Sequence, residues 1–186
     1  MLKKAIFLDR DGVINRDIGY LGSWANFEFL PGAQSAMRAL CEAGYSIIIV
    51  TNQSGIARGY YSIDDYERLT AEMIGALSQC GVSVLEVYYC PHHPTGSVER
   101  FSVNCDCRKP APGMILRAAS EHGIDLARSV FIGDKHTDMQ AAASAGVGRA
   151  YLVGVSDPLP SERFLIVDGK YGSLSECVDS NRAFTL

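Results

Sequence analysis

The sequence predicts an α/β fold in which parallel strands form one doubly wound sheet with helices on both faces. Three observations support this prediction: short apolar runs alternate with amphipathic helical stretches, no internal repeat or low-complexity linker interrupts them, and polar residues follow the apolar runs. Of 186 residues, 47% are hydrophobic and 20% are charged, which is typical of a folded globular protein. We therefore expect one Rossmann-like domain spanning residues 1–186.

Short apolar runs predict the strands of this sheet. The first run ends directly before an aspartate, and the second is rich in β-branched side chains, as is typical of strands that are buried on both faces. Because helical stretches separate the runs, the strands are predicted to be parallel. The predicted strands lie at residues 4–8, 45–50, 84–89, 129–132, 149–153 and 164–167.

Apolar residues at helical spacing predict the helices between these strands. One helix begins at Pro31 and ends at Gly44, and the next begins after Ser62, where Asp65 completes a capping box. Residues 91–110 are instead rich in proline, glycine and polar side chains, so we expect an inserted loop there. The remaining helices are predicted at about 111–122, up to about 145, and near 173–179.

Charge and hydropathy argue against several classes of protein. The formal net charge is −4, which does not provide the basic surface that binds nucleic acid. No stretch approaches the roughly 20 apolar residues of a membrane span, and the apolar run near the N-terminus is too short for a signal peptide. We therefore expect a cytoplasmic protein with a small-molecule partner, no nucleic acid and no membrane. We also expect a monomer, because no exposed apolar stripe is evident.

Four polar segments follow predicted strands or the inserted loop. Because the carboxyl ends of parallel strands meet at one edge of a sheet, these segments are predicted to converge there. Among their side chains are three acids (Asp9, Asp11 and Asp134), one hydroxyl (Thr51) and one lysine (Lys109), a set that suits phosphoryl transfer with Mg²⁺. The segments are Asp9-Arg10-Asp11-Gly12, Thr51-Asn52-Gln53-Ser54-Gly55, Arg108-Lys109-Pro110, and Gly133-Asp134-Lys135 with Asp138 four residues further on.

Charge suggests a role for each of these side chains. A Mg²⁺ ion between Asp9 and Asp134 would reduce the repulsion between an attacking carboxylate and a phosphate. Lys109 and Thr51 could hold the phosphate oxygens, and Asp11 could protonate the leaving alcohol and then activate water. Each segment alone also has an ordinary structural interpretation as a turn, a cap or a solvated loop. Together and in this order, they favour an active site.

A cysteine–histidine cluster lies in the inserted loop, at about residues 90–108. The pattern is C-x-H-x₁₂-C-x-C, and three thiolates with one imidazole match a closed, structural Zn²⁺ site. The alternative is three free cysteines and a surface histidine, and His93 is a less favoured ligand. Since Arg108 and Lys109 directly follow the last cysteine, Zn²⁺ would help to place both residues. The predicted ligands are Cys90, His92, Cys105 and Cys107.

The four segments resemble the motifs of the haloacid dehalogenase (HAD) superfamily of aspartate-nucleophile phosphatases. The resemblance implies that Asp9 is the nucleophile, that Asp11 is the general acid/base, and that Thr51 and Lys109 steady the phosphoryl group. It also implies that Mg²⁺ is bound by Asp9, the backbone carbonyl of Asp11, and Asp134, with Asp138 supporting the metal site from outside. Val13 departs from the threonine that is frequent in this superfamily, but that hydroxyl is not a catalytic group.

Longer stretches resemble a narrower family, the heptose bisphosphate phosphatases. They are Thr51 to Gly59, the Cys-Pro-His-His-Pro stretch from Cys90, and Cys105 to Met114. The resemblance implies a site without a cap domain and a role in making nucleotide-activated heptose for lipopolysaccharide or another surface glycan. Arg108 would bind the second phosphate of a sugar bisphosphate. The implied substrate contacts are Asp17, Ile18, Gly19, Tyr20, Thr51, Asn52, Gln53, Ser54, Arg108, Lys109 and Lys135.

Two other functions remain open on the sequence alone. Histidinol-phosphate phosphatases are similar and share the zinc loop, so the second phosphate of the substrate is the physical discriminator. A zinc-stapled binding module without turnover is a hypothesis from another class, and the intact set of nucleophile, acid, lysine and metal-binding acid argues against it. A polynucleotide 3′-phosphatase is disfavoured by the acidic charge balance.

Overall fold

The computed structural model describes residues 2–154, 167–181 and 184. Six strands in this part of the chain form one sheet, and every pair of neighbouring strands is parallel. The order is β3-β2-β1-β4-β5-β6, so the chain reverses its direction of winding between β1 and β4. The strands are β1 (Ala5–Leu8), β2 (Ser46–Asn52), β3 (Val84–Cys90), β4 (Val130–Gly133), β5 (Arg149–Val153) and β6 (Gly169–Tyr171).

Helices cover both faces of this sheet. Three single-turn 3₁₀ helices, at Trp24–Asn26, Glu99–Phe101 and Leu126–Arg128, lie in the connections. None of the helices among the described residues is both long and apolar enough to cross a membrane. The α-helices are α1 (Ala33–Glu42), α2 (Ser54–Ala57), α3 (Ile63–Gln79), α4 (Gly113–His122), α5 (His136–Ala145) and α6 (Leu174–Ser180).

The sheet separates two hydrophobic cores. Successive side chains of a strand point to opposite faces, so Ile6 and Leu8 of β1 belong to one core whereas Ala5 and Phe7 belong to the other. Helices α1, α3 and α6 contribute to the first core, and α4 and α5 contribute to the second. Burial on both faces explains why the strands read as continuous apolar runs in the sequence.

The predicted fold class is confirmed. Only one 3₁₀ turn and α1 lie between β1 and β2, so no cap domain is inserted there. The capping box of α3 is also confirmed, since Asp65 N donates to Ser62 Oγ and Ser62 N donates to the Asp65 carboxylate. Helix α1 begins at Ala33, two residues after Pro31, because Gly32 takes the left-handed conformation of its N-cap.

Three details of the prediction need correction. Strand β2 runs to Asn52, so Thr51 and Asn52 are its last residues rather than the start of the following loop. Helix α2 was not predicted. Of the strand predicted near 164–167, residues 164–166 lie outside the described residues, and the last strand of the sheet is β6 at Gly169–Tyr171.

Candidate functional site

Three carboxylates meet where the strand order reverses. Asp9 follows β1 and Asp134 follows the neighbouring β4, so the two lie side by side at the carboxyl edge of the sheet. Asp138 lies in the first turn of α5. One carboxylate oxygen from each of the three lies within 4.8 Å of the others. The fold thus places two of the predicted magnesium ligands together and adds Asp138 beside them.

Lys109 lies among these carboxylates and is only 3% exposed. Its Nζ is 2.9 Å from Asp9 Oδ1 and 2.8 Å from Asp138 Oδ1, and it donates to Val50 O at 2.7 Å. The side-chain amide of Asn52 fixes the backbone of the same lysine, since it accepts from Lys109 N and donates to Lys109 O. Lys109 is therefore held at both its backbone and its ammonium group.

The electrostatics of this cluster favour a bound cation. Burial raises the pKa of Asp9, although Lys109 opposes the shift, and burial raises the pKa of Asp134 to about 7 with a further contribution from Asp9. Burial lowers the pKa of Lys109, but the carboxylates of Asp138 and Asp9 outweigh it and raise that pKa overall. Two cations, the buried Lys109 and the half-exposed Lys135, thus face three acids that are costly to ionise together. A divalent cation would relieve this cost.

The donor set fits Mg²⁺. Asp134 Oδ1 is buried and has no hydrogen-bond partner among the described residues, so it is available as a ligand. Carboxylate oxygens are the ligands that Mg²⁺ prefers. The Asp138 carboxylate is instead occupied by Lys109 and by the backbone N–H of Lys135, which supports its expected role outside the ligand set. The backbone carbonyl of Asp11 stays a predicted ligand.

Asp11 lies apart from the three-carboxylate cluster and is surrounded by donors. Its carboxylate accepts from Arg10 Nη2 at 2.9 Å, from Asn15 Nδ2 at 2.9 Å and from Gln53 Nε2 at 3.0 Å. The Arg10 side chain is fully buried, and its ion pair with Asp11 is bidentate, since Nη2 donates to Oδ2 at 2.9 Å and Nε donates to Oδ1 at 3.3 Å. Sequence reasoning missed both Arg10 and Asn15. The available signal was the position of Arg10 between two acids, directly after a buried strand.

The segment from Thr51 to Ser54 lies beside Asp11. Thr51 is buried, and its Oγ1 accepts from Gln53 Nε2 at 2.9 Å. Gln53 is 2% exposed, and both its side-chain oxygen and its side-chain nitrogen form hydrogen bonds with protein side chains. The side chain of Asn52 instead binds the backbone of Lys109. Ser54 is the first residue of α2. Contacts between these four residues and a substrate stay predictions.

An ion pair joins two other predicted substrate contacts at the edge of the site. Lys135 Nζ lies 3.0 Å from Asp17 Oδ2 and 3.6 Å from Asp134 Oδ2. Asp17 also accepts from Gly19 N at 2.8 Å, which folds the segment 17–20 into a turn. Ile18 and Tyr20 of this turn are exposed. The turn is therefore linked to the carboxylate cluster through Lys135.

The inserted loop brings the four predicted zinc ligands together. The sulfur of Cys105 is 3.5 Å from that of Cys90 and 3.3 Å from that of Cys107, and His92 Nδ1 is 3.4 Å from the Cys107 sulfur. A tetrahedron with metal–ligand bonds of about 2.1–2.3 Å has edges of roughly 3.4–3.8 Å. The thiols and imidazole therefore fit a tetrahedral Zn²⁺ ion. His93 is not in the cluster, as expected.

Arg108 connects this loop to the site. Its Nη1 donates to His92 O at 3.3 Å, and its backbone lies between Cys107 and Lys109. Arg108 also lines a cavity of about 290 Å³. The other residues that line this cavity are His93, Pro94, Val103, Asn104, Cys105, Lys109, Pro110 and Ala111.

Comparisons with known proteins agree with this geometry. A family model described as HAD-hydrolase-like matches residues 106–162. The chain is 46% identical over 172 residues to D-glycero-β-D-manno-heptose-1,7-bisphosphate 7-phosphatase from Yersinia pestis, covering 92% of each protein. It is 42% identical over 165 residues to D-glycero-α-D-manno-heptose-1,7-bisphosphate 7-phosphatase from Photorhabdus laumondii, covering 88% of this chain and 90% of that protein.

Comparison with solved structures agrees with the sequence comparison. The D,D-heptose 1,7-bisphosphate phosphatase from B. bronchiseptica, crystallised with magnesium and phosphate, superposes with a TM-score of 0.81 at 33% sequence identity. The alignment covers 95% of this chain and 97% of that one. The similarity thus extends over nearly the whole length of both chains.

Proposed function

This chain belongs to the D-glycero-D-manno-heptose-1,7-bisphosphate 7-phosphatase family of HAD-like hydrolases, and from this premise we propose that it removes the 7-phosphate of that sugar through an aspartyl-phosphate intermediate. It is a phosphoric monoester hydrolase. A non-catalytic binding module is therefore set aside. The released heptose 1-phosphate would enter the synthesis of nucleotide-activated heptose for a surface glycan.

The position of the Asp9 carboxylate is the main support for the proposed mechanism. Its Oδ1 is 2.9 Å from Lys109 Nζ and accepts from Arg10 N at 2.8 Å. Because these contacts engage Oδ1, we propose that Oδ2 is the oxygen that attacks the substrate. A carboxylate that is fixed through one oxygen loses little freedom when the other attacks, which lowers the entropic cost of the reaction.

The first step transfers the phosphoryl group to the protein. Asp9 Oδ2 attacks phosphorus, the bond between phosphorus and the sugar oxygen breaks, and Asp11 donates its proton to that oxygen. Lys109 and Thr51 hold the phosphoryl oxygens during this transfer. The products of the step are a neutral sugar hydroxyl, an aspartyl phosphate on Asp9 and an ionised Asp11.

The second step restores the free enzyme. Asp11 takes a proton from water, the resulting hydroxide attacks phosphorus, and the bond between phosphorus and Asp9 breaks to release inorganic phosphate. Bound Mg²⁺, held by Asp9, Asp134 and the Asp11 carbonyl, would supply positive charge that offsets the repulsion between carboxylate and phosphate. Asp11 therefore acts once as an acid and once as a base.

The substrate is proposed to lie between the Asp17–Lys135 pair and Arg108. The planar guanidinium of Arg108 can bind the non-reacting phosphate with two hydrogen bonds, and the cavity beside it has room for that group. Residues Asp17 to Tyr20 would contact the sugar. A Zn²⁺ ion bound by Cys90, His92, Cys105 and Cys107 would hold Arg108 and Lys109 in place.

The cysteine content supports a reducing compartment. Cys90, Cys105 and Cys107 must be free thiolates to bind Zn²⁺, and Cys41, Cys80 and Cys177 are also free thiols. This agrees with a cytoplasmic location, which we propose together with a monomeric state.

Substitution of the nucleophile tests the proposed mechanism. Asp9→Asn removes the attacking oxygen with almost no change in size, so turnover should fall below about 1% of wild type while the fold is kept. Activity would be measured as phosphate release in the presence of Mg²⁺, and circular dichroism would show whether the variant is folded. Retention of more than about 1% of activity by a folded Asp9→Asn protein would contradict covalent catalysis.

A further inference from the structure

The ring of Tyr61 lies in a slot that two glycines provide. A Cβ atom at Gly22 would lie 2.5 Å from Tyr61 Cβ, and a Cβ atom at Gly55 would lie 2.2 Å from Tyr61 Cε1. Any larger residue at either position would collide with the ring. Gly22 closely follows the predicted substrate-contacting turn, and Gly55 belongs to α2. Tyr61 is therefore wedged between the segment that follows this turn and helix α2.

The hydroxyl group at the end of this ring points into the active site. It donates to Gln53 Oε1 at 2.5 Å, and burial raises the pKa of Tyr61 to about 12, so the phenol keeps its proton. Arg10 Nη2 also approaches Gln53 Oε1, at 3.4 Å. Both donors stabilise this orientation of the amide, and a flipped amide would place its NH₂ group against the Arg10 guanidinium and its oxygen against the Asp11 carboxylate.

The other end of this amide reaches two residues of the proposed reaction. Gln53 Nε2 donates to Asp11 Oδ2 at 3.0 Å and to Thr51 Oγ1 at 2.9 Å. The contacts form a continuous chain from Tyr61 through Gln53 to Asp11. Gln53 is 2% exposed, so water does not compete strongly for these hydrogen bonds.

We propose that Tyr61 is a positioning residue for the general acid/base, acting through the amide of Gln53 on the carboxylate of Asp11. The inference rests on the proposed phosphatase mechanism. Loss of the hydroxyl removes one of the two donors that orient Gln53 and so loosens the carboxylate that transfers the proton. Proton transfer to a sugar oxygen is needed because an alkoxide is a poor leaving group, whereas a 4-nitrophenolate leaves readily without a proton.

The matched pair Tyr61→Phe and Tyr60→Phe tests this role. Both substitutions remove one phenol hydroxyl and keep the ring, but the Tyr60 side chain is 63% exposed. For heptose bisphosphate, Tyr61→Phe should lower kcat about fivefold to tenfold with KM within about twofold, as expected for a lost hydrogen bond that matters in the transition state. For 4-nitrophenyl phosphate, kcat/KM should stay within about twofold. Tyr60→Phe should match wild type on both substrates.

Three results would overturn the role of Tyr61. They are an unchanged kcat on heptose bisphosphate, an equal loss of kcat/KM on both substrates, and a rise in KM that accounts for the whole loss. An equal loss would indicate that the hydroxyl supports the phosphate cradle or the fold rather than proton transfer. Failure of the proposed function is a separate result, because it would appear as wild-type protein that does not hydrolyse heptose bisphosphate.

Discussion

At the scale of single residues, Lys109 has the largest predicted energetic effect. It is buried and paired with both Asp9 and Asp138. Lys109→Met would leave two buried carboxylates without their cation, and breaking a buried ion pair in this way costs about 3–5 kcal/mol. We therefore expect a loss of that size in the free energy of unfolding, measured in urea, together with loss of phosphatase activity.

Lys135→Met is the matched control for this prediction. Lys135 is paired with Asp17 and Asp134, but its side chain is 51% exposed. Exposed ion pairs contribute at most about 1 kcal/mol, so this variant should lose activity with little loss of stability. Equal stability of the two variants would contradict the view that Lys109 neutralises the buried carboxylates.

The residues that could be predicted are those that the chain places directly at the strand ends. Asp9 and Asp134 are examples, because strand polarity alone brings them together. Tyr61 could not be predicted in the same way. Its partner, Gln53, is reached only after β2 and α2 have packed. No spacing in the sequence records that contact.

At the scale of elements, the capping box of α3 predicts a pH-dependent contribution to stability. Hydrogen bonds from the Ser62 side chain and backbone hold the pKa of Asp65 below its ordinary value of 3.8. The ionised carboxylate therefore stabilises the fold above about pH 4, and this contribution is lost as the pH falls through the lowered pKa. Asp65→Asn should lower Tm at pH 7, and the difference from wild type should shrink below pH 4.

Ser62→Ala provides the comparison for that experiment. It removes the hydroxyl that accepts from Asp65 N and donates to Asp65 Oδ2, at a cost of about 1 kcal/mol. Because the backbone N–H of Ser62 still donates to the carboxylate in this variant, only part of its effect should shrink below pH 4. A Tm difference for Asp65→Asn that stays constant from pH 7 to pH 3 would contradict a role for the carboxylate charge.

The zinc loop makes a second prediction at this scale. Wild-type protein should contain one zinc per chain by metal analysis, and Cys107→Ser should lose it, because a closed structural site needs all four ligands. Cys80→Ser is the matched control, since Cys80 is an exposed thiol outside the cluster. Loss of zinc should raise hydrogen exchange in residues 90–108 before the sheet unfolds. Zinc-free wild-type protein with full protection of this loop would refute the assignment.

Elements with strong local signals could be predicted, and those without them could not. Helix α3 has a capping box and a long apolar stripe, so its start was correct. Helix α2 has only four residues, Ser54–Ala57, which is too short for a helical period to appear. Strand β6, Gly169–Tyr171, has no apolar run of its own and is defined by its pairing with β5.

At the scale of the whole molecule, the sheet order explains why the site is where it is. Alternating elements predict a parallel sheet, but they do not predict which strands are neighbours. The structure places β4 next to β1, and the reversal between them opens the crevice that contains Asp9 and Asp134. Other segments, among them the zinc loop and the turn at residues 17–20, lie around this crevice.

Binding of Mg²⁺ in this crevice should stabilise the whole fold. A ligand at 100 times its Kd stabilises the native state by about 2.7 kcal/mol. Tm should therefore rise when Mg²⁺ is added to magnesium-free protein, and Asp134→Asn should abolish most of the rise because a carboxylate ligand is lost. An equal rise in wild type and Asp134→Asn would show that Mg²⁺ binds elsewhere.

The most direct test of the central claim is the choice of substrate. Phosphate release with Mg²⁺ would be measured at equal concentrations for the α and β anomers of heptose 1,7-bisphosphate and for histidinol phosphate. We predict that one heptose bisphosphate exceeds histidinol phosphate by at least about 100-fold in kcat/KM, or about 2.7 kcal/mol in transition-state binding. Faster release from histidinol phosphate would contradict the proposed substrate and would leave the fold and the phosphoryl-transfer chemistry in place.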